Sequence, residues 1–529
     1  MNNVIYYLYQ SYYVIGLDTD VMFNQQIYDA PTSIATVPKV ISKFPSMPTT
    51  NILIPDELIT MHCFPKGFRL IKDKPTKISR TIIFSLDNIP FNKSSPYNKM
   101  YFTAIIFYEN LYNYHLLRIK KNKEANTKDA LKYQKYYVPK AIVLSSLLPF
   151  PRETAKILKG LYGYYAANYD SITIPIEKTI ENILYMIPIP PRGNFMFTYS
   201  LFGEKIIFGQ TAINRLPNSS HDLNIIFGRF KIEVLLKLFK CILLEIPLIF
   251  YSENIDMLTT ITEGIMSLTY PFRYQYPFIS VLPSNMYSLI ETANTFVVGI
   301  NEDIMKKNDK GKNFFERNGL EIEDKTIIVV NIDIDKEQIT MLKPTGDIRP
   351  CIYLNDLDYI STETQMYING LFDSVEFPLH YKKKCHKLIS DYINQLKEKK
   401  IKNEDKETFN YMIREQFFYF LVSILVKYQN YIKVTELKTF DLTYVSKKRD
   451  AMRIEDLFDV EGYINDSKTS DAPFYKRFLH TKIFLDFMIR KIYPKTTYEK
   501  ISLIFFDEKI FAKQNRFIFS RSKKTPNRK

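Results

Sequence analysis

The chain has 529 residues, enough for two or three packed cores, and its 46% hydrophobic and 15% aromatic content excludes a disordered or low-complexity protein. Four scattered cysteines, Cys63, Cys241, Cys351 and Cys385, form no spaced pairs and suit a reduced, cytoplasmic setting, and no charged-then-apolar leader is apparent. A formal net charge of +15 permits attraction to an anionic membrane, but the basic residues form no dense stripe interleaved with aromatics, so no nucleic-acid partner is expected.

Short β-rich runs open the chain, Thr81 to Leu86 and Tyr101 to Tyr108 among them, with Pro-bearing turns and no long helix before Arg152. They predict antiparallel strands, separated by the charged link Lys120 to Lys132 from the segment that begins at Tyr137. Helices are predicted over Arg152 to Asn168 and Ile176 to Met186, which makes the first part α+β. Val234 to Tyr251 is apolar but carries Lys237, Lys240 and Glu245, the mark of a buried helix joined to a strand rather than a membrane span.

The stretch from Cys241 to Ile300 spells strand, helix, strand, short helix, strand. Ile246 to Tyr251 is a continuous apolar run of the kind a strand buried on both faces shows. Ser252 or Asn254 is placed to cap the next helix, whose Ile255, Leu258, Ile261, Ile265 and Leu268 recur on one stripe until Pro271 ends it. Phe278 to Leu282 and Thr295 to Ile300 repeat the strand signal, with Ser284 placed to cap the turn of helix between them. This predicts an open α/β sheet without a phosphate-binding glycine loop.

Asn301 to Lys325 is charged, contains Gly311 and Gly319, and reads as a long loop. After Thr362 the period becomes helical. Phe409, Ile413, Phe417, Phe420, Leu421, Ile424, Leu425 and Tyr428 make one stripe, and Phe478, Ile483, Phe484, Phe487 and Ile492 another. Asn403 to Lys406 is predicted to join two helices, and Ser520 to Lys529 to be a frayed basic tail.

Signs of covalent chemistry are missing. None of the glycine-rich nucleotide loops or the nucleophile elbow is present among only 15 glycines. His62 with Cys63 and Cys385 with His386 are adjacent pairs whose side chains diverge, with no second pair to complete a tetrahedral set. Asp333 and Asp335 share one strand parity as a carboxylate pair but have no acid or base partner beside them, so they read as a solvated strand edge. Neither a metal nor a cofactor is expected.

The order of signposts in this central stretch, SEN, a helix, YPF, SVLPSNM and FVVGI, resembles the central part of a DENN domain. The resemblance extends both ways. YYVIGLD (Tyr12 to Asp18), PKVISKFP (Pro38 to Pro45) and ILIPDELITMHCFPKGFRL (Ile52 to Leu70) look like the upstream module. Tyr137 to Tyr162 and IPIPPRG (Ile187 to Gly193) look like the approach to the central one. Ile327 to Thr340 resembles the acidic strand pair of the Crag-like branch, and LFDVEG with Phe474 to Lys491 looks like the downstream module.

The resemblance implies a multidomain α/β and α+β chain: a longin-like upstream lobe over 1–132, a central open α/β sheet domain over 137–340, a mostly helical downstream module over 341–520 and a basic tail over 521–529. It also implies a guanine-nucleotide exchange factor for a Rab GTPase, whose switch regions sit against a cleft between two lobes. Exchange needs no nucleophile, only tighter binding of the opened GTPase than of its GDP form. The side chains implied to touch the GTPase are Arg192, Arg273, Gln275, Ser284 and Asn285. The chain departs from the family where ETANTF (Glu291 to Phe296) replaces a proline-bearing run. Two other roles fit the resemblance: a GTPase-activating relative using Arg80, Arg152 or Arg192, and an adaptor that binds a Rab without exchange. The expected setting is cytoplasmic, peripheral on vesicle or endomembrane surfaces, with the basic surplus permitting contact with anionic membrane.

Overall fold

The computed structural model describes residues 7–17, 37–46, 54–73, 75, 79–87, 99–112, 135–167, 175–193, 195–219, 223–304, 306, 308–312, 314–321, 327–333, 339–342, 348–351, 375–397, 403–433, 452–494 and 497–522. It divides into two compact units, Met1–Gln210 with Asn254–Thr259 and Ile279–Tyr287, and Thr211–Glu253 with Thr260–Phe278 and Ser288–Lys529. Helices and sheets are mixed in sequence, the α/β and α+β multidomain class expected.

The first unit is built on the strands β1 (Tyr9–Gly16), β2 (Lys39–Phe44), β3 (Ile71–Lys72), β4 (Ser79–Asp87), β5 (Lys99–Asn110) and β6 (Tyr136–Ser146). They pair antiparallel in the order β2-β1-β6-β5-β4, with β3 also on β6. Because strand side chains alternate faces, Tyr12 and Val14, Ile105 and Phe107, and Ile142 and Leu144 share one apolar cluster. Helices α2 (Pro151–Ala167) and α3 (Ile176–Met186) close it with Ile157, Leu158 and Leu161, and with Ile180, Ile183 and Leu184. Helix α1 (Asp56–Cys63) brings the His62 ring onto Phe84, which stacks in turn on Phe102. Burial holds this imidazole below its usual pKa, against the opposing pull of a contact between His62 Nδ1 and the Leu58 carbonyl, as befits a core histidine rather than a ligand.

The hairpin β7 (Met196–Leu201) and β8 (Glu204–Gly209) adds Phe197, Tyr199, Leu201, Ile206 and Phe208 to the same cluster. Its two-residue turn holds Phe202 at φ 48° and Gly203 at φ 81°. Two positive φ values match the strand twist, but asparagine or glycine is the usual occupant of the first position. Phe202 is there because its ring stacks on Tyr164, 4.9 Å away, and lies over Gly160, where a Cβ would come within 2.7 Å of the ring. The sequence division at 132–137 falls inside this unit, since β6 is the strand between β1 and β5.

The second unit carries a mixed sheet in the order β10-β11-β9-β12-β13-β14, where β9 is Leu248–Tyr251, β10 Phe278–Ile279, β11 Val297–Ile300, β12 Ile327–Asn331, β13 Ile339–Leu342 and β14 Ile348–Cys351. Strands β11, β9 and β12 run parallel, and every residue of the three is buried, which explains their unbroken apolar runs. The unit also holds α4 (Leu223–Arg229), α5 (Ile232–Leu243), α7 (Ser288–Thr292), α8 (Phe314–Arg317) and, from Thr260 onward, α6 (Ile255–Met266). The predicted stripe of α6 is buried throughout, Asn254 Oδ1 caps it by accepting from the Asp256 and Met257 N–H groups, and Gly264 lets α4 approach through Ile226. The strand predicted from Phe278 is shorter than expected and ends at Ile279.

The other described residues of the unit are mostly helical: α9 (Leu379–Lys397), α10 (Asn403–Ile424), α11 (Ile454–Leu457), α12 (Val460–Asn465), α13 (Ala472–Phe478), α14 (Lys482–Ile492) and α15 (Thr497–Ser522). Asn403 to Lys406 are the first turn of α10 rather than a link. The second predicted stripe is broken between two helices, because the Thr481 hydroxyl donates to the Phe478 carbonyl and accepts the Phe484 N–H, ending α13 and starting α14. Among the described residues no helix is long and apolar enough to cross a membrane. The proposed link Lys120 to Lys132 lies outside the described residues.

These helices are tied to the sheet domain by side chains that satisfy orphan backbone groups. Asn410 accepts the Leu223 N–H at 3.1 Å. Arg414 donates to the carbonyls of Pro217 and Ser267, and burial draws its pKa down to about 10. Arg477 donates to Leu244 O at 3.0 Å, and Arg490 to Pro271 O at 3.0 Å. Glu245 accepts the Ile483 N–H at 2.8 Å, capping α14 from a distance of 238 residues.

Candidate partner-binding surface

In an open parallel sheet, ligands enter at the carboxyl ends of the strands. Here those ends close on themselves. After β9, Ser252 Oγ and the Glu253 N–H both donate to the Asp333 carboxylate, the latter at 2.7 Å, and the Asp333 N–H donates to Asn331 Oδ1 at 2.9 Å. Asn301, just past β11, donates to the carbonyls of Ser252 and Glu253 at 3.0 Å each. The crevice is occupied by the chain's own polar groups, with no glycine loop to receive phosphate. Asp333 is therefore a clasp between strand exits, not a bare solvated edge, and Asp335 lies outside the described residues. Ser252 donates to this clasp, so the helix cap falls to Asn254.

The loop SVLPSNM does something the sequence does not suggest. Within the first unit its Ser284 N–H donates to Pro65 O at 2.9 Å, and Asn285 Nδ2 donates to Met61 Sδ at 3.4 Å. Pro65 belongs to CFPKG, whose turn is set by Gly67 at φ 66° and a bond from its N–H to Phe64 O at 2.9 Å. Two motifs more than two hundred residues apart in the chain thus form one surface, with the side chains of Ser284 and Asn285 exposed on it. Ser284 is not the helix cap expected. Pro283 holds that position without a side-chain bond, and Ser284 begins the 3₁₀ turn Ser284–Met286.

Arg192 sits elsewhere in the same unit. Its segment pairs with Gln210, whose side-chain amide donates to Pro190 O at 2.6 Å and whose carbonyl accepts the Gly193 N–H at 3.3 Å. Gly193 at φ 140° lets the Phe195 ring lie against its Cα. The adjoining hairpin exposes large apolar side chains: Phe195 is 69% exposed, Met196 74% and Ile207 55%. Thr198, opposite Ile207, shares their face. Sequence reasoning missed these three, although apolar residues at both parities of MFTYSL and EKIIFG were the available signal.

Arg273 and Gln275 belong to the second unit. In YPFRYQYP the chain is extended, so Phe272, Tyr274 and Tyr276 alternate with them. Phe272 packs between Phe478 and Phe487, and Lys482 Nζ lies 4.6 Å from the Tyr276 ring centre. Burial pushes the Tyr274 hydroxyl pKa up. The anchored aromatics leave Gln275 exposed and Arg273 half-buried, with Gln275 Nε2 donating to Arg273 O at 2.9 Å. Of the five residues expected to touch a GTPase, the structure joins Ser284 to Asn285 and Arg273 to Gln275, and ties Arg192 to the hairpin. Of the arginines available for an activating role, Arg80 lies in β4 opposite Ile106 and Arg152 in the first turn of α2.

Among the described residues no group of three or more His, Cys, Asp or Glu side chains could hold a metal. Cys385 is buried while His386 is exposed beside Glu233, as adjacent helical positions require.

Residues 137–318 match the DENN (AEX-3) domain family. The chain is 23% identical over 353 residues, 66% of its length, to DENN domain-containing protein 3 of Mus musculus, and covers 24% of that protein. It is 27% identical over 128 residues, 24% of its length, to a DENN domain-containing protein of Schizosaccharomyces pombe, of which it covers 13%. The chain therefore spans a quarter or less of these relatives. The family match and the names of both relatives support a DENN domain over residues 137–318, and DENN domain proteins in general are exchange factors for Rab GTPases.

Proposed function

We propose that this protein is a guanine-nucleotide exchange factor for a Rab GTPase, acting by binding and without covalent chemistry. The observation that carries the reading is the family match over residues 137–318. The self-closed crevice at the carboxyl ends of β9, β11 and β12 agrees with it, because a protein that acts on another protein's nucleotide needs no phosphate cradle of its own. Contacts to the GTPase are assigned to Ser284 and Asn285 on the surface shared with CFPKG, to Arg192 with the exposed Phe195, Met196 and Ile207, and to Arg273 and Gln275. Exposed aromatic and methionine side chains beside an arginine are the composition that protein interfaces favour. The proposed setting is cytoplasmic, at the surface of trafficking membranes where Rab proteins act.

Release of fluorescent GDP and hydrolysis of GTP, measured side by side across a Rab panel at micromolar protein, test this. Faster release from at least one Rab without faster hydrolysis is expected, and Asn285→Ala or Met196→Ala should slow it about tenfold, the effect of losing 1–2 kcal/mol of contact. Hydrolysis without release would make it an activating protein, and binding without either an adaptor; both outcomes overturn the proposal.

A further inference from the structure

Helix α9 carries five lysines against one acidic residue, Asp391, in 19 residues. Its inner side is fixed: Cys385 and Tyr392 are buried, and the Tyr392 ring stacks on Phe409 of α10 at 4.3 Å. Lys382 is committed to Glu233 at 2.7 Å, with His386 near the same carboxylate at 3.8 Å. Lys383, Lys384 and Lys387 point the other way, are exposed, and have no carboxylate within ion-pair distance among the described residues. Spacings of three and four put them on one side of the helix. Along its flank stand Leu379 and Ile393, each seven residues from the His386 between them; Leu379 is 64% exposed and Ile393 40%.

We propose that this side of α9 seats on an anionic lipid bilayer, the three lysines over headgroup phosphates and Leu379 and Ile393 dipping into the interfacial layer. Charge complementarity selects an anionic surface. The aliphatic flank selects a bilayer over a nucleic acid, since a polyphosphate chain offers nothing to Leu379 or Ile393 and the face has no aromatic platform for bases. A helix packed on its inner side and basic on its outer side lies along the surface and does not cross it. The seat does not depend on the exchange reading: a protein that floats with acidic vesicles but releases no GDP retains it.

Vesicle flotation of the full chain tests the seat, using phosphatidylcholine alone and phosphatidylcholine with phosphatidylserine. The protein should float only with the acidic vesicles and should be released as salt rises past physiological strength, where screening acts over about 8 Å. The variant K383Q/K384Q/K387Q should partition roughly a hundredfold less, about fivefold for each charge lost near the surface. The variant K306Q/K310Q/K312Q removes the same charge from another exposed stretch and should float as the unaltered protein does. L379S/I393S should also weaken flotation. Equal loss in both lysine variants, flotation with neutral vesicles, or retention on heparin or duplex RNA with no flotation would each overturn the proposal.

Discussion

Arg490 shows how single side chains hold the helical part of the chain to its sheet domain. It is 1% exposed, donates Nε to Asp486 at 2.7 Å one turn earlier, and donates Nη2 to Pro271 O at 3.0 Å. Pro271 follows α6 and the 3₁₀ turn after it, a place where carbonyls lack helical partners. A guanidinium answers two such needs at once because its donors are splayed in a plane. Arg490→Leu keeps most of the volume but leaves the Asp486 carboxylate and the Pro271 carbonyl without this donor, so the expected loss of stability is about 3 kcal/mol, the size found when one partner of a buried pair is removed. A lower denaturant midpoint at unchanged slope would show it. Arg490→Lys should recover only part, having one point charge for two acceptors. A midpoint unchanged in Arg490→Leu would mean that packing alone carries the contact.

At the scale of elements, the position of β6 governs what can be cut. A family boundary at Tyr137 falls at the second residue of this strand. Yet β6 pairs with β5 over ten positions, Tyr101 to Asn110, and with β1 from Tyr9 to Ile15. A fragment 137–529 would expose both edges of an eleven-residue strand and strip the apolar faces of α2 and α3 of the Tyr12, Ile105 and Phe107 they cover. Limited proteolysis of that fragment should remove residues up to about Gln210, whereas the full chain should resist there; equal protection would refute a dependent β6. The sequence could not announce this pairing. Local patterns were legible: the apolar runs of β9 and β11, because burial on both faces removes alternation, and the stripes of α6 and α10, because one helix face meets a core. The cap at Ser284 was misplaced, since Pro283 fits that position and the Ser284 N–H is taken by Pro65. The seat of SVLPSNM on CFPKG and the bond from Arg490 to Pro271 were illegible for the same reason: their partners are some two hundred residues away, and no local period encodes them.

For the molecule as a whole, the proposed exchange role is a thermodynamic statement that can be measured without assigning any contact. A protein that binds an empty GTPase more tightly than the GDP-loaded form by some factor must weaken GDP binding by the same factor, because the two equilibria close a cycle. Useful acceleration asks for a sizeable factor. A hundredfold difference, about 2.8 kcal/mol, is expected between the empty and GDP-loaded forms of the responsive Rab. Titration calorimetry or surface-immobilised binding with nucleotide stripped, then restored, reads it directly. Excess GDP or GTP should dissociate the complex, and the factor by which nucleotide weakens the protein's binding should equal the factor by which the protein weakens GDP affinity. Asn285→Ala should weaken binding to the empty form more than to the loaded form, while leaving thermal unfolding in place, because its side chain is exposed and packs in no core. A preference for the GTP-loaded form would describe an effector. Equal affinity for all three forms would leave no free-energy difference to drive release, and the exchange role would fall whatever the family resemblance.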